Sequence, residues 1–231
     1  MADIKSGPEV KQEHIQVFGS ELGAVYHELH NEVIWLHAKW LEYRKLYAKS
    51  EKRIALLNET AAFFFFTIEA VLRENVLLHI ARLTDPPVQG KFKNLTLRRL
   101  PHLVTDKALA DDLQKLVEES LDRCKFARDL RDKQIAHNDL SLAVDAQATP
   151  LPSVSRQIIE DALASFRKIM NRLHEAYFQE TEVAFDRFIT GSGADALVCH
   201  LAEGVRSDKR RMERLRQGKP LPEDWGPSPE F

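Results

Sequence analysis

An arginine and a histidine near the end of a predicted helix are the residue types best suited to chemistry in this sequence. Asp132 follows Arg131 directly, and His137 stands six positions after the arginine. A histidine titrates near neutral pH, so His137 could remove the proton of a ribose 2′-hydroxyl. Arg131 could bind the attacked phosphate and stabilise the charge that develops on it. The pair suits metal-independent cleavage of RNA, with Asp132 orienting either group.

Three further side chains of this segment are candidates for substrate contacts. They are the cations of Arg128 and Lys133 and the amide of Asn138. An alternative role for Asp132 is an ion pair with Arg128, since the two are four positions apart. If the segment is not functional, Arg131 is a solvated surface side chain and His137 caps the helix end.

The spacing of Arg131 and His137 limits how they act together. On a straight helix, six positions correspond to about 120° of rotation and about 9 Å of rise. The two side chains can meet at one substrate if the helix ends or bends between them. They can also meet if two copies pack across a two-fold axis, because a symmetric dimer brings two of each into one cleft.

Helices are the elements that must position these residues. Nine glycines and ten prolines among 231 residues leave few turns, and apolar residues recur at three- and four-residue steps. We predict an all-α fold, a bundle of four long helices with shorter additional helices. The predicted long helices cover residues 11 or 20 to 50, 58–83, 107–137 and 153 or 155 to 189, and the shorter ones 95–103 and 194–217.

The apolar stripe of the third long helix leads to the arginine. Ser120, Cys124 and Ala127 continue the stripe, and the next position is Arg131. A charged group on an inward face requires a partner or has a function.

The chain divides by composition into four predicted regions. These are a flexible tail (1–10), a helical bundle (11–190), a basic helix docked on the bundle (191–217) and a proline-rich tail (218–231). Ser192 and Asp195 have the spacing of a capping box at the start of the last helix.

Composition excludes several classes of protein. A formal net charge of -2 gives no bulk attraction for nucleic acid. The apolar run 61–83 is interrupted by charged residues, so we predict no membrane span. Two cysteines 75 positions apart and no secretion signal indicate a cytoplasmic protein. Phosphate-loop, zinc and di-iron spacings are absent, so we predict no cofactor and no bound metal.

Three other clusters are noted for their residue types. His27, His30 and His37 share a helix face. We favour solvent-exposed histidines on an amphipathic helix over metal ligands. The run Phe63–Phe66 points around most of a helix, which places it in a core or at a subunit interface. A C-terminal basic cluster is either a phosphate-binding strip or, as we favour, a solvated helix end: Arg206, Lys209, Arg210, Arg211, Arg214, Arg216 and Lys219.

The segment from Arg131 to His137 resembles the signature of the HEPN superfamily (higher eukaryotes and prokaryotes nucleotide-binding). In that signature an arginine and a polar residue precede a histidine, which stands four to six positions after the arginine. The likeness to the abortive-infection U-type (AbiU-like) branch covers about residues 22–190. It is carried by Trp40-Leu41-Glu42-Tyr43, Leu56-Leu57-Asn58, Ile80-Ala81-Arg82-Leu83-Thr84-Asp85 and Leu95-Thr96-Leu97.

The resemblance implies a function and partners. Many HEPN proteins are metal-independent endoribonucleases of phage defence or toxin–antitoxin systems, with the site formed between two protomers. We therefore expect a dimeric ribonuclease with RNA as substrate, a possible antitoxin partner, and Arg131, Asp132 and His137 as catalytic residues. Other members have lost the catalytic pair, so the alternative is a nucleotide- or partner-binding module. A purely structural bundle is the third option, in which Arg131 forms an ion pair within its own chain.

Overall fold

The computed structural model of the chain describes residues 6–136, 139–140, 144–145, 153–178, 183–185 and 192–225. This part is almost entirely helical, which confirms the predicted all-α class. It forms two compact units, Met1–Trp40 with Leu72–Phe188, and Leu41–Val71 with Ile189–Phe231. The predicted boundaries at residues 10, 190 and 217 stay predictions, because compactness does not test independent folding.

The first unit is a helical bundle around an apolar core. Its helices are α1 (Gly7–Phe18), α2 (Ser20–Tyr47) up to Trp40, α3 (Glu51–Leu83) from Leu72, α4 (Leu100–Leu103), α5 (Lys107–Arg123), α6 (Lys125–Leu130) and α7 (Arg156–Phe178). α5 packs along α7. Removing the core side chains from water is the main stabilising contribution. Fully buried examples are Tyr26, Leu36, Ile80, Leu113 and Phe166.

Two glycines shape the corner between α1 and α2. α1 begins at Gly7, within the predicted tail, because Ser6 and Glu9 form a capping box. Gly19 follows α1 with a φ of 87°, which L side chains rarely adopt. A Cβ on Gly23 would lie 2.5 Å from the carbonyl oxygen of His14, so the glycine permits close helix approach. The alternative predicted start at residue 20 is therefore the correct one for α2.

The helix predicted over residues 107–137 is interrupted, so that prediction was wrong in part. Asp106 caps α5 at its predicted start, since its carboxylate accepts the N–H of Leu109 at 2.7 Å. Cys124 then leaves the helical region (φ -98°, ψ 4°), and α6 begins after it. Residues Arg131–Ile135 follow as a π-helix, here called the π-turn. The apolar stripe continues through these breaks, so it carries no signal of them.

A short connection links α3 to α5. Strands β1 (Val88–Gln89) and β2 (Phe92–Lys93) pair antiparallel between the predicted helices 58–83 and 95–103, where no strand was expected. A 3-10 turn at Leu97–Arg99 leads into α4, which matches the short helix predicted there. The hydroxyl of Thr96 donates to the carbonyl of Leu83 at 2.9 Å and fixes this connection to the end of α3.

α7 is shorter than the fourth predicted helix. Of the two predicted starts, 153 and 155, the second is correct, because the Ser155 hydroxyl accepts the N–H of Ile158 at 3.3 Å. The helix ends at Phe178, and residues 183–185 are not helical. The N–H of Val183 donates to the side-chain Oδ1 of Asn171 at 3.0 Å.

The second unit contains the end of α2, α3 up to Val71, and α8 (Ala194–Arg216). α3 begins at Glu51, earlier than predicted, and is kinked at Ala61, whose φ is -158° and ψ 68°. The hydroxyl of Tyr47 donates to the carbonyl of Phe65 at 2.9 Å. This hydrogen bond holds α3, beyond its kink, against the end of α2.

The start of α8 differs from the predicted capping box. Gly193 is the N-cap and provides no side-chain bond. The N–H of Ala194 donates instead to the carboxylate of Glu42. Asp195 instead forms an ion pair with Arg53, whose Nη1 lies 2.8 Å from Oδ1 of Asp195. The cap therefore comes from a distant glutamate that local spacing does not reveal.

The C-terminal tail contains a further turn. Pro222–Trp225 form a 3-10 helix, where only a proline-rich tail was predicted. Asp224 is buried, and its Oδ2 accepts the Nε of Arg214 at 3.0 Å. This ion pair ties the turn to the last residues of α8.

The phenylalanine run of α3 is largely exposed within one chain. Phe65 is buried, whereas Phe63, Phe64 and Phe66 are 82%, 56% and 70% exposed. Within the described ranges, α3 is the one helix long and apolar enough to cross a membrane by length and composition. Core helices of soluble proteins pass the same test, so one such helix is weak evidence of a membrane span.

Candidate functional site

Arg131 is the first residue of the π-turn in the first unit. Ser120, Cys124 and Ala127 are buried, so the apolar stripe leads to this arginine as the sequence predicts. The N–H of Ala136 donates to the carbonyl of Arg131 at 2.8 Å, a bond spanning five residues. Single turns of π-helix are often found at functional sites. The side chain of Arg131 is 20% exposed and thus remains accessible to a ligand.

Two carboxylates bind the guanidinium of Arg131. Its Nε donates to Oδ1 of Asp132 at 2.7 Å, and its Nη1 donates to Asp85. The side chain of Asp85 is 14% exposed and that of Asp132 is 59% exposed. The hydrogen bond to Asp132, and then that to Asp85, raises the pKa of Arg131 above its usual value. The guanidinium therefore stays charged, with its plane fixed from two sides.

Asp85 reaches Arg131 because the end of α3 is anchored. The buried hydroxyl of Thr84 donates to the carbonyl of Ala81 at 3.0 Å. The N–H of Asp85 donates to the carbonyl of Arg82 at 3.3 Å, and Pro86 then prevents the helix from continuing. In the sequence, Asp85 stands out only as the last residue of the run 80–85 that resembles the AbiU-like branch. No local spacing links it to a partner 46 positions away.

Arg128 performs a bridging role between three elements. Its Nη1 donates to Oγ1 of Thr84 at 3.0 Å, and its Nη2 donates to the carbonyl of Leu121 at 2.7 Å. These bonds join α6 to the end of α3 and to the last turn of α5. The alternative ion pair of Asp132 with Arg128 is not formed, because Asp132 binds Arg131.

The remaining predicted site residues follow Arg131. Lys133 is exposed, and its ammonium forms no ion pair with any residue that the structure describes. The carbonyl of Lys133 accepts the N–H of Asp139 at 3.0 Å. His137 and Asn138 lie outside the described residues, so the predictions made for them stay predictions.

The arrangement around Arg131 leaves donors for a ligand. A guanidinium has five N–H groups, and two of them are engaged here. Among the described residues its Nη2 donates to no protein atom. Two carboxylates outweigh one guanidinium, so the local charge is negative before a ligand arrives. A phosphate would therefore need a second cation beside Arg131.

The predicted histidine trio does not assemble into one site. His27 is joined to His14, their Nδ1 atoms lying 3.2 Å apart. His37 makes a separate contact, since its Nδ1 lies 2.8 Å from the carbonyl of Val33. Within the part of the chain that is described, no group of three or more His, Cys, Asp or Glu side chains could hold a metal ion.

The basic cluster on α8 is partly neutralised by ion pairs. Lys209 lies 2.8 Å from Glu59, and Arg206 lies 2.5 Å from Glu203. Arg214 pairs with Asp224 in the same unit. Four exposed cations have no ion pair with described residues: Arg210, Arg211, Arg216 and Lys219.

Comparison with known proteins gives a family and no individual relative. No curated protein and no solved structure matches the chain. The sequence model of the family HEPN_AbiU2, described as AbiU2, matches residues 19–196. The matched range is most of the chain and includes Asp85, Arg131 and Asp132. The chain therefore belongs to the AbiU2 family of HEPN proteins.

Proposed function

We propose that this protein is a metal-independent endoribonuclease of the HEPN kind, acting in the cytoplasm as a phage-defence or toxin-type effector. The best support is the orientation and accessibility of the Arg131 side chain, in a chain that belongs to a HEPN family. Its guanidinium is oriented by two carboxylates, remains partly exposed and keeps unused N–H donors. That combination suits binding of a phosphodiester.

The proposed reaction needs only the chain and its RNA substrate. His137 takes the proton of the 2′-hydroxyl, and the resulting alkoxide attacks the adjacent phosphorus. The bond from phosphorus to the 5′-oxygen breaks, and that oxygen receives a proton from a histidinium. The products are a 2′,3′-cyclic phosphate and a 5′-hydroxyl. Arg131 stabilises the charge on the phosphate oxygens during the attack.

The neighbouring side chains have supporting roles in this proposal. Asp132 orients Arg131 through the 2.7 Å hydrogen bond to Nε. Lys133, with no ion pair to described residues, supplies the second cation that the negative local charge requires. Asn138 and Arg128 are the other proposed substrate contacts, and Arg128 also supports the site by joining α6 to α3.

We further propose that the protein acts as a homodimer, with a composite site formed from two Arg/His pairs. The exposed side chains of Phe63, Phe64 and Phe66 support self-association, because aromatic patches of this kind mark interfaces. Sedimentation velocity at micromolar concentration should give a dimer for the wild type. A wild-type monomer under these conditions would contradict the composite site. We propose a protein antitoxin as an additional partner.

The decisive experiment compares RNA cleavage in excess chelator by the wild type and by His137→Ala and Arg131→Ala. We expect both variants to lose at least a hundredfold in rate, since each removes a group needed in the transition state. His200→Ala changes an exposed histidine of α8 and is the matched control. Equal cleavage by wild type and His137→Ala would refute the assignment.

A non-catalytic protein, either a binding module or a purely structural bundle, is the second candidate. Arg131 is paired within its own chain by Asp85 and Asp132, which is the arrangement expected of the structural bundle. If this candidate is correct, the wild type cleaves no RNA in any buffer. A bound nucleotide or partner protein raises the thermal unfolding midpoint of a binding module and leaves that of a structural bundle unchanged.

A further inference from the structure

A cavity of about 290 Å³ lies beside the π-turn in the first unit. Its lining is mixed, with four apolar and four polar side chains. Among the apolar ones, Leu77 and Leu130 are buried at its base, and Ile135 and Val154 are half-buried. α3, α6, the π-turn and the residues before α7 thus each contribute to one pocket.

The rim of this cavity is polar and has unused hydrogen-bonding capacity. Four exposed side chains, each of a different chemical type, surround the opening: Arg73, Glu74, Gln134 and Ser153. None of them has a hydrogen-bond or ion-pair partner among the described residues. A guanidinium, a carboxylate, an amide and a hydroxyl without partners around an apolar base are typical of a ligand site.

Apolar side chains at the base and polar ones at the rim favour a flat ligand with polar groups along its edge. An apolar base and walls accept an aromatic ring, while donors and acceptors at the rim bind its edge. Unpaired nucleobases are recognised by such stacking and edge contacts in single-stranded RNA. A phosphate alone would gain nothing from the leucines, and an acyl chain would gain nothing from the four polar groups.

The position of the cavity links it to the proposed cleavage site. Leu130 immediately precedes Arg131, and Gln134 and Ile135 belong to the same π-turn. Residues three and four apart on a helix are neighbours, about 5 to 6 Å between their Cβ atoms. A base in the cavity would therefore bring its own phosphate close to Arg131.

We propose that this cavity binds a guanine base of single-stranded RNA next to the scissile phosphate. Guanine presents two adjacent N–H donors on its Watson–Crick edge, which the two oxygens of Glu74 can accept together. Arginine pairs well with the O6 and N7 acceptors of guanine, so Arg73 can contact the other edge. Adenine, cytosine and uracil lack the paired donors. The proposal rests on the proposed function, because it names the base that accompanies cleavage.

The test measures binding of labelled single-stranded RNA octamers to the His137→Ala protein, which prevents turnover. The octamers are uridine-rich and contain either one guanosine or one adenosine. We expect the guanosine octamer to bind at least tenfold more tightly. Glu74→Gln in the same background should reduce that preference to twofold or less, since the amide offers only one acceptor oxygen. Glu21→Gln, at an exposed position of α2, is the matched control and should retain the preference.

The outcomes separate this proposal from the proposed function. Equal affinity for the two octamers would overturn the guanine pocket even if the wild type cleaves RNA. A guanosine preference that depends on Glu74 supports the pocket even if cleavage is absent. Competition by free guanosine monophosphate as effective as that by the octamer would overturn the assignment to RNA.

Discussion

Arg131 depends for its orientation on a residue from another helix. Asp85 is held at the end of α3 by the Thr84 anchor, and its side chain is less exposed than that of Asp132. Ion pairs between exposed groups contribute little to stability, whereas loss of a partner from a partly buried pair costs more. The two carboxylates of Arg131 should therefore differ in importance.

We expect Asp85→Ala to lower the free energy of unfolding by about 1 to 3 kcal/mol, because it leaves a partly buried guanidinium with one partner. Asp132→Ala should cost less than about 1 kcal/mol, since its carboxylate is well solvated. Urea denaturation of the two variants and the wild type measures both values. Equal losses in the two variants would show that Asp85 is not the principal anchor.

Single residues of the site were predictable to different degrees. Arg131 could be found because it interrupts an apolar stripe, and Asp132 because it is adjacent. Asp85 and Glu74 could not be found, because their roles depend on the approach of α3 to α6 and the π-turn. A sequence shows periodicity within one element and carries no direct record of which distant element lies opposite.

Helices show the same division between local and distant signals. Asp106 and Ser155 start α5 and α7 as predicted, since capping depends on residues a few positions apart. The break at Cys124, the π-turn and the cap of α8 by Glu42 were missed. In each of these cases the apolar pattern or the local capping residues suggested a simpler helix.

The crossing of α1 and α2 gives a prediction for an element. Gly23→Ala should destabilise the protein by about 1 to 3 kcal/mol, because its Cβ would meet backbone atoms of α1, 2.5 Å from the carbonyl oxygen of His14 and 2.6 Å from the Cα of Ile15. Gly204→Ala, in open space on α8, is the control. It should be neutral or stabilise by up to about 1 kcal/mol. Thermal unfolding that ranks the two variants in the opposite order would contradict this packing.

The first unit as a whole holds a cluster of histidines where α1, α2 and α7 meet. The rings of His14 and His30 are 5.5 Å apart, and His174 accepts or donates a 3.3 Å hydrogen bond with Tyr26. Burial, with neighbouring histidines as a further cause, lowers the pKa of His14 and of His30 from 6.5 to about 4. Nδ1 of His30 has no hydrogen-bond partner in the described structure. Both rings are therefore neutral at physiological pH.

This cluster makes the stability of the unit depend on pH. In the unfolded chain the histidines bind protons near pH 6.5, whereas in the folded chain they do so near pH 4. Stability is therefore complete above pH 6.5 and is lost as the pH falls towards 4, by up to about 3 kcal/mol for each residue. The thermal unfolding midpoint should decrease as the pH is lowered from 7 to 5.

Substitution can assign that pH dependence to the cluster. His30→Phe removes one titrating ring and keeps an aromatic side chain, so the decrease between pH 7 and pH 5 should become smaller. His200→Phe, on the exposed surface of α8, should leave the decrease unchanged. An unfolding midpoint of the wild type that stays constant over this range would contradict the neutral, buried state of the cluster.

The π-turn has a consequence for how this sequence can evolve. The hydrogen bond from Ala136 to Arg131 spans five residues, where an α-helix spans four, so the turn accommodates one residue more. We expect an insertion or deletion in this segment to be absorbed by a change in turn width. The HEPN signature that this segment resembles has arginine–histidine spacings of four to six positions. A turn of adjustable width would give such spacings a structural basis, with the length variation confined to the residues beside Arg131.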